Sequence, residues 1–184
     1  MSIFKAEGIV IQVWKYSENE LYYKILFRDY GILTVKKRKK AREKPIDIWY
    51  FIHCEIITHE SKSVHTIGNI KIQSFFETGW RSYSEIESFL KILSLIKSDL
   101  PEWSPHYEIY DILSSAINTQ ESLNPDKLIL IHLKTIVCLW NLWESHSDET
   151  TCKVLKFVHA NKYSQIMRLW SIPEETKKHL EKIL

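Results

Sequence analysis

Glycine and proline are scarce in this chain, four and five among 184 residues. So little of either argues against a long flexible linker. No apolar run approaches the length of a membrane span. Met1-Ser2-Ile3-Phe4-Lys5 leads into no h-region with a cleavage site, so no secretory signal is expected and a cytoplasmic location is the default. Cysteine is also sparse: Cys54, Cys138 and Cys152 are odd in number and widely spaced. Neither a disulfide framework nor a zinc finger follows from them, and reduced buried thiols are expected. A phosphate loop, a G-x-S-x-G and an H-E-x-x-H are all missing. The carboxylate pairs Glu85/Glu87 and Glu174/Glu175 sit at expected helix starts, where they suit the helix dipole rather than catalysis. His53 and Cys54 are adjacent, so on a strand they face opposite ways and cannot easily share an ion. His146, Cys152 and His159 are too loosely spaced for a zinc motif. No catalytic residue, metal site or cofactor is therefore expected, and an enzyme is the least expected class.

Hydrophobic residues make up 45% of the chain, enough for a folded core. The net charge of +2 hides an asymmetry. Residues 1–75 carry 13 basic against 8 acidic side chains, a balance of +5, and residues 76–184 carry 12 against 15, a balance of −3. Such asymmetry hints at nucleic-acid binding. The amino-terminal part reads as strands. Gly8 to Trp14 is β-branched and apolar, and Leu21 to Arg28 alternates with a period of two. Asp29-Tyr30-Gly31 is a turn, Ile32 to Val35 a third strand, Ile48 to Ile57 a fourth and Val64 to Ser74 a fifth. Five strands in about 75 residues fit a small barrel of OB-fold size; periodicity alone leaves an SH3-like barrel open. From about residue 78 the period becomes helical. Ser84-Glu85-Ile86-Glu87 reads as a capping box, and Ser104-Pro105 and Asn124-Pro125 as cap-and-proline helix starts. The stretch Pro125 to Leu142 is apolar on nearly all sides, as in the buried centre of a bundle. Further helices are expected near 149–159, 162–170 and 173–183. The fold class is thus α+β: a five-stranded OB-fold-like barrel over 1–77, then an all-α domain over 78–184.

The strongest local signal is Lys36-Lys37-Arg38-Lys39-Lys40-Ala41-Arg42-Glu43-Lys44, seven cations and one anion in nine residues. Such a run repels itself, and a polyanion relieves the repulsion while releasing condensed counterions. If about four of these cations met phosphates on a single strand, log K would fall against log salt with a slope of roughly −3. Basic runs also occur as solvated loops or as patches for acidic proteins. This one joins two strands of a small barrel rich in aromatics: Trp14, Tyr16, Tyr22, Tyr23, Tyr30, Trp49, Tyr50 and Phe51. OB-folds bind single strands by stacking bases on exposed rings beside a cationic groove. Most of these rings are expected in the core. Tyr22 is the best candidate for exposure, because it shares the polar phase with Lys24 and Arg28. Lys15, Lys24 and Arg28 could extend the positive surface.

Gly8-Ile9-Val10-Ile11, Tyr16-Ser17-Glu18-Asn19, Leu26-Phe27-Arg28-Asp29-Tyr30-Gly31 and the basic loop, followed by a helical domain, together resemble RecO, the bacterial recombination mediator. Val64-His65-Thr66-Ile67 stands where that family has the strand leading to its helical domain. The resemblance implies a non-enzymatic protein that binds single- and double-stranded DNA, anneals complementary strands and, with RecR, loads RecA. It also implies contact with the acidic tail of single-strand-binding protein. The family's DNA-binding basic residues map onto Lys36, Lys37, Arg38, Lys39, Lys40 and Arg42, and Lys44, Lys24, Arg28 and Tyr22 complete the candidate set. The family usually has a glycine after the first basic residues, where Arg38 or its neighbour stands here, so the shape of the loop is left open. Many members insert a four-cysteine zinc module, whereas here Leu139-Trp140-Asn141-Leu142-Trp143-Glu144-Ser145 runs on without one. A metal-free, shortened member is implied. The rival readings are a protein-interaction adaptor, whose basic loop meets an acidic partner, and a single-stranded RNA binder.

Overall fold

A computed structural model describes residues 2–15, 17–39, 44–58, 63–79, 81–119, 123–140, 149–168 and 171–180. The first five elements are strands: β1 (Ser2–Lys15), β2 (Glu20–Phe27), β3 (Gly31–Arg38), β4 (Tyr50–Thr58) and β5 (His65–Phe75). They close into a barrel in the order β1-β2-β3-β5-β4, antiparallel except where β3 meets β5. This is the OB-like arrangement, and it removes the SH3-like alternative. The interior is filled by one phase of each strand, including Val10, Tyr23, Ile25, Phe27, Leu33, Val35, Ile52, Cys54, Ile56 and Ile67. As the alternation requires, Cys54 is buried while His53 faces outward and bonds Glu7 at 2.6 Å. Burial pushes the Cys54 thiol up to about 12, so it stays protonated and inert.

A β-bulge changes the phase of β1. Val10 pairs with Ile25 and Gln12 with Lys24, which leaves Ile11 as the extra residue. Gly8 and Val10 therefore lie on the interior phase, whereas Gln12 and Trp14 lie on the outer one. Ile9 and Ile11 are also buried, although neither belongs to the interior cluster. The helix α2 (Tyr107–Asn118) packs against β1 and β5, and it clusters with the barrel in one compact unit of Met1–Glu77 and Leu100–Asn118. Helix α2 begins at Tyr107, and its first turn closes with Tyr110 N–H donating to the His106 carbonyl. Ser104-Pro105 therefore precedes the helix instead of capping it. The reason lies in the residues before it, which are held on β3 as described below.

The second compact unit comprises Thr78–Asp99 and Thr119–Leu184. It contains α1 (Tyr83–Asp99), α3 (Pro125–Trp140), α4 (Glu149–Ala160), α5 (Tyr163–Ile166) and α6 (Glu174–Leu180). Helix α3 contacts each of the other four, and residues 130–137 are all buried, which explains a sequence apolar on nearly every side. Its start is the expected one: Asn124 Oδ1 accepts from the Lys127 N–H at 2.9 Å. At α1 the cap is Ser82, whose Oγ accepts from the Glu85 N–H at 3.3 Å, two residues ahead of the expected Ser84. Glu85 is the third helical residue, but its fully buried carboxylate turns to Arg81, which also donates to the Thr119 carbonyl. Lys134, buried in α3, donates to the His159 carbonyl in the last turn of α4, where a cation suits the helix dipole. His132, on the same helix, is also buried. Desolvation, aided by the Lys91 charge, lowers its pKa from 6.5 to about 4.

Two outcomes follow. Gly31 turns at φ +73°, and an added Cβ would lie 2.2 Å from the Ser104 carbonyl oxygen. Gly31→Ala should cost roughly 2 kcal/mol or more, seen as a lower urea midpoint with unchanged slope. His132 binds a proton more readily unfolded than folded. Its contribution is complete above about pH 6.5 and is lost as pH falls toward 4. Urea melts across that window should show less acid destabilisation in His132→Leu than in the wild type.

Candidate nucleic-acid interface

The basic run does not begin as a loop. Lys36, Lys37 and Arg38 are the last residues of β3, paired with Tyr22, Leu21 and Glu20 of β2. The Lys39 N–H donates to the Asn19 carbonyl at 2.8 Å, which continues the attachment one residue further. Nor is the run the turn of a hairpin, since β5 lies between β3 and β4 in the sheet. The strand geometry sorts the cations. Lys36 and Arg38 share the outer phase with Tyr22 and Lys24, whereas Lys37 shares the phase of Leu21, a residue packed at the margin of the barrel core. Arg38, Lys39 and Lys44 are exposed. Lys40 and Arg42 lie outside the described residues, as does Tyr16.

On the outer face one register row runs Trp14–Tyr22–Lys36–Thr66 across β1, β2, β3 and β5. The Trp14 and Tyr22 rings are 5.7 Å apart and tilted by 36°. Both are half-buried, so Tyr22 is a partner within a two-ring platform and not a lone exposed ring. The next row is Gln12–Lys24–Thr34. Cations and aromatic rings thus lie side by side on rigid backbone. The remaining aromatics do other work. Tyr23 and Trp49 are buried, Tyr30 packs on Phe4, and Tyr50 stacks on Phe75.

Arg28 is placed elsewhere. It lines a cavity of about 540 Å³ with Lys5, Glu7, Asp29, His53 and Lys71, and so does not join Lys24 and Lys36. That cavity mixes both signs of charge and presents no consistent field to a polyanion. Lys15 is exposed and opposite Leu21 in register.

Two carboxylates temper the basic face. Glu20 lies 3.7 Å from the Lys36 ammonium, and Glu102 lies 3.7 Å from that of Lys24. All four side chains are a third or more open to solvent or close to it, so these long pairs hold weakly and a phosphate can replace them. Glu102 joins the site from outside the candidate set. It forms a parallel bridge with Ile32, and its Oε1 accepts from the Thr34 hydroxyl at 3.2 Å. The contact spans 68 residues of sequence, and no local pattern foreshadows it. Among the described residues, no three His, Cys, Asp or Glu side chains could hold a metal ion. His146 lies outside those residues.

Two curated relatives, both named DNA repair protein RecO, come from Desulfitobacterium hafniense strains DSM 10664 / DCB-2 and Y51. Each is 23% identical over 128 residues, covering 68% of this chain and 47% of the relative. The chain is distantly similar to RecO. It spans about half the length of the curated relatives it matches. No family model matches.

Glu102→Gln removes an anion from the face while keeping an acceptor for Thr34. Affinity for a single-stranded oligonucleotide at low salt should rise about two- to fivefold, the worth of one exposed ion pair. Fluorescence polarisation against the wild type measures it.

Proposed function

We propose that this chain acts in DNA repair or recombination as a non-enzymatic DNA-binding protein, using the outer β2–β3 face of its barrel. The observation that carries this reading is the row Trp14–Tyr22–Lys36 beside Lys24 and Arg38, a stacking platform set next to cations on one sheet face. OB-type barrels capture single strands with this combination, the cations tracking the backbone and the rings receiving bases. The distant similarity to proteins named DNA repair protein RecO supports the cellular role.

The mechanism is electrostatic capture followed by stacking. Each phosphate neutralised by a lysine or arginine releases condensed counterions, and that release provides the driving force. Screening two strands at once lowers their mutual repulsion, so a protein with no catalytic group could speed annealing of complementary strands. Duplex DNA would bind through the same charges but without the stacking. In this reading the helical unit docks protein partners, RecR and the acidic tail of single-strand-binding protein, toward the loading of RecA. Among the described residues no helix is long and apolar enough to cross a membrane, and a cytoplasmic site of action fits the proposal. A form without the four-cysteine zinc module fits the three widely spaced cysteines.

Replacing Lys36, Lys37, Arg38, Lys39 and Lys40 together with alanine should leave the protein folded and lower its affinity for DNA about tenfold or more at low salt. The slope of log K against log salt should shrink from roughly −3 toward zero. Polarisation titrations with single-stranded and duplex oligomers measure both quantities. Unchanged affinity at low salt overturns the proposal. A pull-down with RecR and the acidic tail peptide that succeeds while no oligonucleotide binds would favour an adaptor, and matched RNA winning over DNA in competition would favour an RNA binder.

A further inference from the structure

Helix α4 buries Thr151, Leu155 and Val158, the last two within the core of the helical unit. Lys153, Lys156 and His159 are exposed. Residues three apart are neighbours on a helix surface, so these three form one ridge that rises about 4.5 Å at each step. Lys162 follows just past the end of α4, opens α5 and is exposed as well. The sequence from 150 to 173 holds four basic residues, Lys153, Lys156, Lys162 and Arg168, and no acidic one. Other lysines of this unit are matched by carboxylates. Lys91 meets Glu87 at 3.5 Å, and Lys177 meets Asp126 and Glu174 at 2.7 Å each. On α4 Lys153 meets Glu149 at 2.7 Å, but both side chains are more than 70% open to solvent, and such a pair holds weakly. Among the described residues no carboxylate lies within ion-pair distance of Lys156 or Lys162. Nor does the negative end of the α4 dipole call for them, because Lys134 meets it from beneath, at the His159 carbonyl.

We propose that Lys153, Lys156 and Lys162 form a second contact for a nucleic-acid backbone, on the helical unit, so that one chain holds a second strand. The inference goes beyond the reading of the barrel face and does not depend on it. Charge complementarity selects the occupant. Like charges at neighbouring helix positions repel, and a phosphate backbone relieves that repulsion while releasing its condensed counterions. Phe157, 37% exposed, is one helical turn from Lys153 and offers its ring to an unpaired base. With three lysines and a single ring, this contact is weaker than the barrel face.

The test uses the full chain and a triple variant, Lys153→Gln with Lys156→Gln and Lys162→Gln. An oligo-dT of about ten nucleotides, within the span of one such site, is titrated by calorimetry at low salt. The wild type should bind two oligomers, the second more weakly, and the second event should carry a salt slope of roughly −2, as three phosphate contacts on a single strand require. The triple variant should lose the second event and keep the first within about twofold. Should the triple variant unfold, Lys156→Gln alone should weaken the second event about threefold, the loss of one exposed contact. Replacing Lys36 to Lys40 with alanine should spare the second event. A wild type that binds one oligomer, a triple variant that still binds two, or an oligo-glutamate that fills the second site more tightly than oligo-dT overturns the inference while the basic-face reading stands. A triple variant that loses all binding, beside a Lys36 to Lys40 variant that loses none, overturns the basic-face reading and supports the ridge.

Discussion

Closure of the five-stranded sheet through a very short parallel contact governs the rest of the barrel. Strands β3 and β5 are in register at only Val35–His65 and Lys36–Thr66. Below that point β3 would present unpaired backbone, which is costly when left buried. The strap Leu100–Ser104 takes up that edge through Ile32. Thus the residues that complete the seam come from a distant part of the chain, and they carry the Glu102 carboxylate to the basic face. Gly31 is the point on which this docking turns, because it is both the tight turn into β3 and the gap into which the Ser104 backbone fits.

Much of the scaffold was legible in the sequence for simple reasons. The alternation over Leu21–Arg28 marks β2 because one face of that strand fills the core while the other meets solvent. Gly31 announces its turn because only glycine takes positive φ there without cost. Asn124-Pro125 announces α3 because the cap bond and the fixed proline φ act locally. The all-round apolar stretch that follows signals a central helix, since α3 touches every other helix of its unit.

What could not be read depends on contacts remote in sequence or on small departures from periodicity. The bulge at Ile11 shifts Gln12 and Trp14 to the outer face, whereas strict alternation would keep them in phase with Val10. Ser82 and Ser84 are equally good caps as letters. Arg81 decides between them by drawing the Glu85 carboxylate into a buried pair, leaving the Glu85 N–H for Ser82. The basic run looks like a loop because lysine is poor in strands. Pairing with Tyr22 and Glu20 extends β3 through it nonetheless. Of the candidate site, the sequence marks Lys24, Lys36, Arg38 and Tyr22, all of which the sheet gathers. It misplaces Arg28 with them, because periodicity within β2 says nothing about distance along the barrel. It is silent on Glu102, whose place is set only by closure.

For the proposed capture of a polyanion, it matters physically that the first cations sit on a strand. In a loop, each ammonium would lose chain freedom as it met a phosphate, which offsets part of the gain from counterion release. On β3 the backbone is already fixed, and alternate residues such as Lys36 and Arg38 stand roughly 6.7 Å apart on one face. The cost of holding like charges that close is borne in the folded protein, where Glu20 and Glu102 relieve it at long range. In the proposed function, a polyanion offers more negative charge than two solvent-exposed carboxylates, so the exchange would run toward the bound state at low salt and weaken as added ions screen it. Under that proposal the two glutamates act as placeholders that offset repulsion among the cations until a polyanion replaces them.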